Sequence, residues 1–347
     1  MQCHSHAIFE ISGICNAKCK FCVTGNESHP RGRFVDVEKF DQALEILLKN
    51  HLINRQTIFC LYNWGEPTLH PQFEKILAIL RTKYRIQYEL STNAGKFVEY
   101  QPEWFENLSH LRISMCGFSQ ESYDKIHQFD FEKVKSNIVS IVQAAKKSRY
   151  NTQKIELAHH IYQFNIHEVP ALREFARKLK VYHNPHFAYI GDPKMARAYY
   201  NNSLNSEVLK EISQNIFCYY LQKRREQHPR NDCKLWDDLT IDENCDILTC
   251  CGIERDHPNY RIANVFDENL MQTLKEWRPK ETCFQCMKLG MSSLRELPNA
   301  FSFPMELNPP PKLSFFHRIK AKGKQIETAI RHKIRYKKYA KKNQESK

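Results

Sequence analysis

No stretch of this 347-residue chain offers the ~20 consecutive apolar residues that a bilayer-spanning helix needs. Internal repeats are also missing. The opening, Met1 to His6, has no basic segment followed by an apolar one, so a secretory signal is not expected. The cysteine count is odd, at 13, which excludes a closed set of disulfides. The expected compartment is the reducing cytoplasm, where clustered cysteines bind metal more often than they pair. Apolar and aromatic residues, by contrast, are plentiful at 41% and 12%. They suffice for a sizeable core and exclude a disordered chain. The length suits roughly two domains.

Acidic residues are scarce at one end. Residues 312–347 hold 13 Lys and Arg against only Glu327 and Glu345, a local charge of +11. The formal net charge of the whole chain is +13, so the other residues carry only +2. Whole-chain charge therefore gives no ground for a nucleic-acid function. Within the tail, Phe316, Ile319, Ile326, Ile330 and Ile334 fall near one helical face among the basic residues. A basic amphipathic helix suits an anionic membrane surface or an acidic partner. Asn308 and the three prolines that follow it form a stiff linker ahead of this tail.

Hydrophobic patterning gives strands near 6–12, 57–62, 86–92, 110–116, 154–161 and 184–190. Helical stretches lie between them, near 36–50, with Asp36 as N-cap, and near 71–84, 131–147 and 166–180. Six strands alternating with helices imply parallel crossovers, and the expected fold class is α/β: a partial (β/α)6 barrel. A doubly wound sheet fits the pattern alone equally well. The expected divisions are the barrel (1–195), a helical connector (196–230) with a helix near 205–226, a small cysteine-rich α+β module (231–307), and the linker with its tail (308–347).

Cys15, Cys19 and Cys22 form a C-x3-C-x2-C in the loop after the first strand. Tetrahedral zinc and most iron–sulfur clusters take four protein ligands. Three thiolates on one short loop leave a fourth position open, unless a zinc ion borrows a remote ligand. In barrel-like α/β folds the loops after strands line the active face.

This pattern resembles the radical S-adenosylmethionine (radical SAM) superfamily, with Phe21 in the aromatic slot of the motif. Asn63-Trp64-Gly65-Glu66-Pro67 matches the Gly-Glu-Pro motif. Ser91-Thr92-Asn93 is similar to the ribose-contacting segment, and Ile113-Ser114 to the strand-four serine motif. The resemblance implies a [4Fe-4S] cluster on Cys15, Cys19 and Cys22, with S-adenosylmethionine on its free iron. It places Phe21, Gly65, Glu66, Pro67, Thr92, Asn93 and Ser114 around that cofactor. Cys116 stands where many members have an acidic residue; it is either a buried thiol or a hydrogen-atom donor to a product radical. Trp64 replaces a common first glycine, and His127 stands where an arginine is frequent.

Cys233, Cys250, Cys283 and Cys286 make a second group. The segment resembles the SPASM/twitch auxiliary-cluster domains, in the shorter form with one cluster. The resemblance implies a second [4Fe-4S] cluster, for which zinc is the alternative. Cys251 is the alternative to Cys250, and Cys245 replaces the hairpin glycine of that family. Cys3, Cys60 and Cys218 read as buried apolar residues.

The expected function is reductive cleavage of S-adenosylmethionine to a 5′-deoxyadenosyl radical, which takes a hydrogen atom from a substrate. A sugar or small polar metabolite, oxidised or epimerised, is the expected substrate, with a flavodoxin or ferredoxin as electron donor. Peptide modification is the alternative; the first strand near His6 leaves no room for a leader-binding domain ahead of it. A non-catalytic metal-binding protein is the third reading. His159, His160, Tyr189 and Asp192 lie near strand ends and read as structural or solvated.

Overall fold

The computed structural model describes residues 3–27, 32–218 and 238–291, together with Leu221, Cys233 and Leu235. The proline linker and basic tail lie outside the described residues, as does most of 219–237.

The barrel strands are β1 (His6–Phe9), β2 (Ile58–Cys60), β3 (Gln87–Thr92), β4 (Leu108–Met115), β5 (Ile155–Ile161) and β6 (Tyr182–Phe187). They pair in sequence order and all in parallel. Four of the five crossovers carry α-helix: α1 (Val37–Lys49), α2 (Phe73–Ala78), α3 (Gln120–Lys125) with α4 (Phe131–Lys147), and α5 (Val169–Leu179); the β3–β4 crossover has only a 3-10 turn at Pro102–Phe105. This is the α/β fold with the parallel sheet of a partial barrel. The doubly wound alternative would not order six strands consecutively.

Local chemistry sets the element ends. The Asp36 carboxylate accepts from the backbone N–H groups of Glu38 and Lys39 at 3.0 and 2.9 Å, capping α1 as the sequence predicts. Phe40, Ala43, Leu44 and Leu47 recur at helical spacing and are fully buried against the sheet. Asp130 caps α4 in the same way, and Val134, Ile138, Ile141 and Val142 form its buried stripe. The outward-facing residues of the strands, among them Phe59, Tyr88, Leu90, Leu111 and Ile113, meet these helices. The inward-facing ones alternate with them and include Cys60, Glu89, Arg112, Ser114, Glu156 and His186. Polar side chains thus stand among apolar ones such as Ile8, Ala158 and Ile190 on the inner wall, around a lined cavity rather than a filled core.

After β6 come α6 (Pro193–Tyr200) and α7 (Ser206–Asn215). The helix expected over 205–226 instead ends at Asn215, where Ile216 turns extended at φ −103° and ψ 144°. Next are β7 (Leu239–Ile241), β8 (Asp246–Leu248), β9 (Arg261–Asn264), α8 (Leu270–Glu276) and α9 (Glu281–Lys288). β7 lies parallel to β1, while β8 and β9 continue antiparallel, so one nine-stranded sheet runs through barrel and C-terminal hairpin. Among the described residues, no helix is long and apolar enough to cross a membrane.

Candidate active site

The three-cysteine loop is held by the ends of the neighbouring strands. Glu66 donates its backbone N–H to the Ile14 carbonyl at 2.8 Å, and Asp192 donates to the Phe21 carbonyl at 2.9 Å. A Cβ on Gly65 would run into the Ser12 carbonyl, and one on Gly25 into the backbone of Cys19. Glycine is required at both places because two backbones touch. Asp192 also caps α6 and accepts from Asn26 Nδ2 at 2.9 Å, so it works as a structural clamp, as read from the sequence.

The Gly-Glu-Pro turn is tied inward. Pro67 opens a short 3-10 turn that the Glu66 side chain caps. The buried Glu66 carboxylate accepts from Thr68 Oγ1 at 2.6 Å and from the Asn93 N–H at 2.7 Å. Burial still raises its pKa. Asn93 Nδ2 in turn donates to Asn16 Oδ1 at 2.9 Å and to Cys15 Sγ at 3.6 Å. Ala17 N–H donates to the same sulfur at 3.4 Å. Phe21 stacks on Tyr162 with 6.2 Å between ring centroids.

Burial pushes the Cys15 thiol up to about 12, with Glu66 adding to the effect. Cys19 is raised well above its ordinary value by burial and then by Cys22, Cys15 and Cys116. A dry, crowded trio of thiols gives up its protons to a cationic partner. The donor set thus fits an iron–sulfur cluster, with two N–H groups placed to support thiolate sulfur.

The second cysteine group also assembles. Burial raises Cys233, and Cys250, Cys286 and Cys283 add to it. Cys250 is raised by burial and then by Cys251, Cys286 and Cys283. These four cysteines thus lie within electrostatic reach of one another, and all four line one cavity. Among the described residues, no three His, Cys, Asp or Glu side chains converge tightly enough for a single metal ion. Cys245 sits in the hairpin at φ +64°, the left-handed conformation that glycine adopts freely.

A single cavity of about 1290 Å³ is lined by both cysteine groups. Cys15, Cys19, Cys22, Phe21, Gly65, Glu66, Thr92, Asn93 and Ser114 border it, and so do Cys233, Cys250, Cys251, Cys283 and Cys286. Pro67 is buried in its turn and does not border the cavity. Cys116 is fully buried outside this lining, and its thiol donates to the Ser122 carbonyl at 3.6 Å. The geometry thus gives Cys116 the place of a buried thiol near Cys19. Trp64, His127, His160 and Tyr189 also line the cavity. His159 does not; it stacks on His183 behind β5, 5.7 Å away.

Two polar arrangements escaped sequence reasoning. The first is a buried latch. Arg255 Nη2 donates to Glu10 Oε2 at 2.8 Å and its Nη1 to Glu243 Oε1 at 2.8 Å. Glu10 Oε1 accepts from the Trp64 and Gly65 N–H groups at 2.6 and 2.9 Å. One arginine thus joins β1, the Gly-Glu-Pro turn and the C-terminal hairpin. The second is the inner wall of β4, β5 and β6, which carries Arg112, Glu156 and His186. The alternation His110-x-Arg112-x-Ser114 was the signal for it, since period two puts all three on the face of the strand-four serine. Near the second group, Arg197 of α6 pairs with Glu254 and lies within electrostatic reach of Cys286 and Cys250.

Residues 9–176 match the family model described as "Radical SAM superfamily". Among solved structures, the chain is similar to Streptococcus suis SuiB bound to precursor peptide SuiA. The identity is 14% and the TM-score 0.52, over 84% of this chain and 71% of that one. It is also similar to native anSMEcpe with bound AdoMet, at 16% identity and a TM-score of 0.50 over 83% of this chain and 87% of that one. At these identities the likeness is one of fold. No curated protein matches the chain.

Proposed function

Residues 9–176 of this chain are a radical SAM superfamily domain, and from that premise we propose that the protein reductively cleaves S-adenosylmethionine and abstracts a hydrogen atom from a small polar substrate, oxidising or epimerising it. Cys15, Cys19 and Cys22 would hold the [4Fe-4S] cluster of this family. Bound there, the cluster would supply the electron that splits S-adenosylmethionine into methionine and a 5′-deoxyadenosyl radical. Phe21, Gly65, Glu66, Thr92, Asn93 and Ser114 would position that cofactor. Their shared border on one cavity supports the assignment. The inward pull of Glu66 on Asn93 fixes the turn and the β3 end as one unit. The Trp64, Phe21 and Tyr162 rings, which border the same cavity, would keep water from the radical.

The observation that carries the oxidative reading is the continuity of this cavity with Cys233, Cys250, Cys283 and Cys286. A substrate in it would lie between the radical source and a second cluster able to take an electron. Cys250 and Cys251 both border the cavity; Cys250 is the proposed ligand, on the resemblance of its hairpin to that of the auxiliary-cluster family. The barrel wall bears Arg112, His160 and His186, which favours a small polar substrate over a peptide side chain.

Anaerobic reconstitution and iron counting test the assignment. Two [4Fe-4S] clusters give about eight irons per chain. The triple variant Cys15→Ala/Cys19→Ala/Cys22→Ala should keep about four. Zinc in place of the second four would overturn the oxidative reading.

A further inference from the structure

One hydrogen-bonded chain runs across the barrel wall. Arg112 Nε donates to Glu156 Oε1 at 3.2 Å, and Asn184 Nδ2 donates to the same oxygen at 2.9 Å. His110 Nε2 engages the other oxygen, Oε2, at 3.2 Å. Burial pushes the Glu156 carboxyl up, but His110, Arg112 and Asn184 together hold it at about 2. The backbone carbonyl of Asn184 then meets His186 Nδ1 at 3.1 Å. Strand register makes this chain possible: Arg112 pairs with Glu156, and His160 with His186.

The chain ends in two groups that face the cavity. At one end, the terminal amino groups of Arg112 have no protein partner among the described residues, so they are free to donate. At the other is His186, a residue only 7% exposed. A carbonyl oxygen can only accept, so the single proton of the neutral ring lies on Nδ1. Burial, reinforced by His160, keeps that ring neutral. Nε2 therefore presents a lone pair, and it is buried with no hydrogen-bond partner among the described residues. A buried acceptor left unmatched is destabilising, and because His186 also lines the cavity, a ligand there can complete it.

A fixed donor and a fixed acceptor on one wall discriminate between ligands. A carboxylate or phosphate could take Arg112 but would meet the His186 lone pair. It would also meet an arginine whose charge Glu156 already balances. A hydroxyl accepts from the one and donates to the other. We infer that Arg112 and His186 form a recognition subsite for a hydroxyl-bearing substrate, a polyol or sugar, with His186 Nε2 accepting the hydroxyl hydrogen. His160, edge-on to His186 at 4.6 Å, braces the ring. The subsite rests on the proposed radical chemistry only for the claim that its occupant is the substrate.

The test uses the full chain, cluster-reconstituted and loaded with S-adenosylmethionine, with ¹⁵N-labelled histidine rings. The His186 resonances should report a proton on Nδ1 and none on Nε2. Addition of myo-inositol should move the Nε2 resonance upfield, while acetate and inorganic phosphate leave it in place. The myo-inositol response should vanish in Arg112→Met and survive, weakened, in Arg112→Lys, which keeps a donor should the methionine variant not fold. A proton on Nε2, a response to the anions, no response to myo-inositol, or a response indifferent to Arg112 would each overturn the inference. Reductive formation of 5′-deoxyadenosine is measured alongside; its absence would sink the radical reading alone and leave the His186 signals to judge the subsite.

Discussion

Arg255→Met isolates what the buried latch contributes. Arg255 hydrogen-bonds two carboxylates, Glu10 and Glu243, which are 0% and 4% exposed, and lies 3.9 Å from a third, that of Asp242. Without the guanidinium they face each other with no cation between them. Removing one partner of a buried ionic group costs about 3–5 kcal/mol. At roughly 2 °C per kcal/mol for a chain of this size, the Tm should fall by about 6–10 °C. The loss should also depend on pH. Burial raises the Glu10 pKa from an ordinary 4.5 to about 7, while Arg255 pulls the other way. Because the folded value lies above the unfolded one, Glu10 favours folding most below pH 4.5, and that contribution fades as pH rises through 7. Without Arg255 the folded value climbs further, so the variant suffers most at pH 8 and partly recovers at pH 6, where a proton stands in for the lost cation. Urea unfolding of both proteins at the two pH values measures this. A loss under about 1 kcal/mol at pH 8, or one equal at both pH values, would refute the latch.

Gly65→Ala should abolish S-adenosylmethionine cleavage, because its Cβ would strike the Ser12 carbonyl and push the Gly-Glu-Pro turn off the cysteine loop; a rate of 5′-deoxyadenosine formation within tenfold of the parent would contradict this. Cys250→Ala should lose the iron of the second site while Cys251→Ala keeps it, as read by iron content and the electron paramagnetic resonance of the reduced protein. Asn93→Leu removes the amide donor to Cys15 Sγ and Asn16; the cluster on Cys15, Cys19 and Cys22 should then be harder to reduce, with a more negative midpoint potential in a redox titration, since N–H donors to sulfur stabilise the added charge.

What the sequence made legible was local. The C-x3-C-x2-C, the Gly-Glu-Pro turn and the Asp36 cap each lie within a few residues, so their chemistry is visible as spacing. The six parallel strands were legible because four of the five crossovers carry their own helical periodicity. Pairings across the fold were not. Glu10 and Arg255 are 245 positions apart, and neither has a pattern that announces the other. The attachment of β7 to β1 was hidden for the same reason: a three-residue strand, Leu239–Ile241, has too short a period to declare which edge it joins. Arg112 and His186 lay in between. Alternation puts each on the inner face of its strand, but only the register through Glu156 and Asn184 brings them to one wall.

The central claim is that the three-cysteine loop and the strand ends around it perform reductive cleavage of S-adenosylmethionine. The most direct measurement is 5′-deoxyadenosine formed under anaerobic reduction by the reconstituted protein and by its Cys15→Ala/Cys19→Ala/Cys22→Ala variant. The account predicts 5′-deoxyadenosine and methionine in equal amounts from the parent and none from the variant. No 5′-deoxyadenosine from the parent, or equal amounts from both proteins, would contradict it.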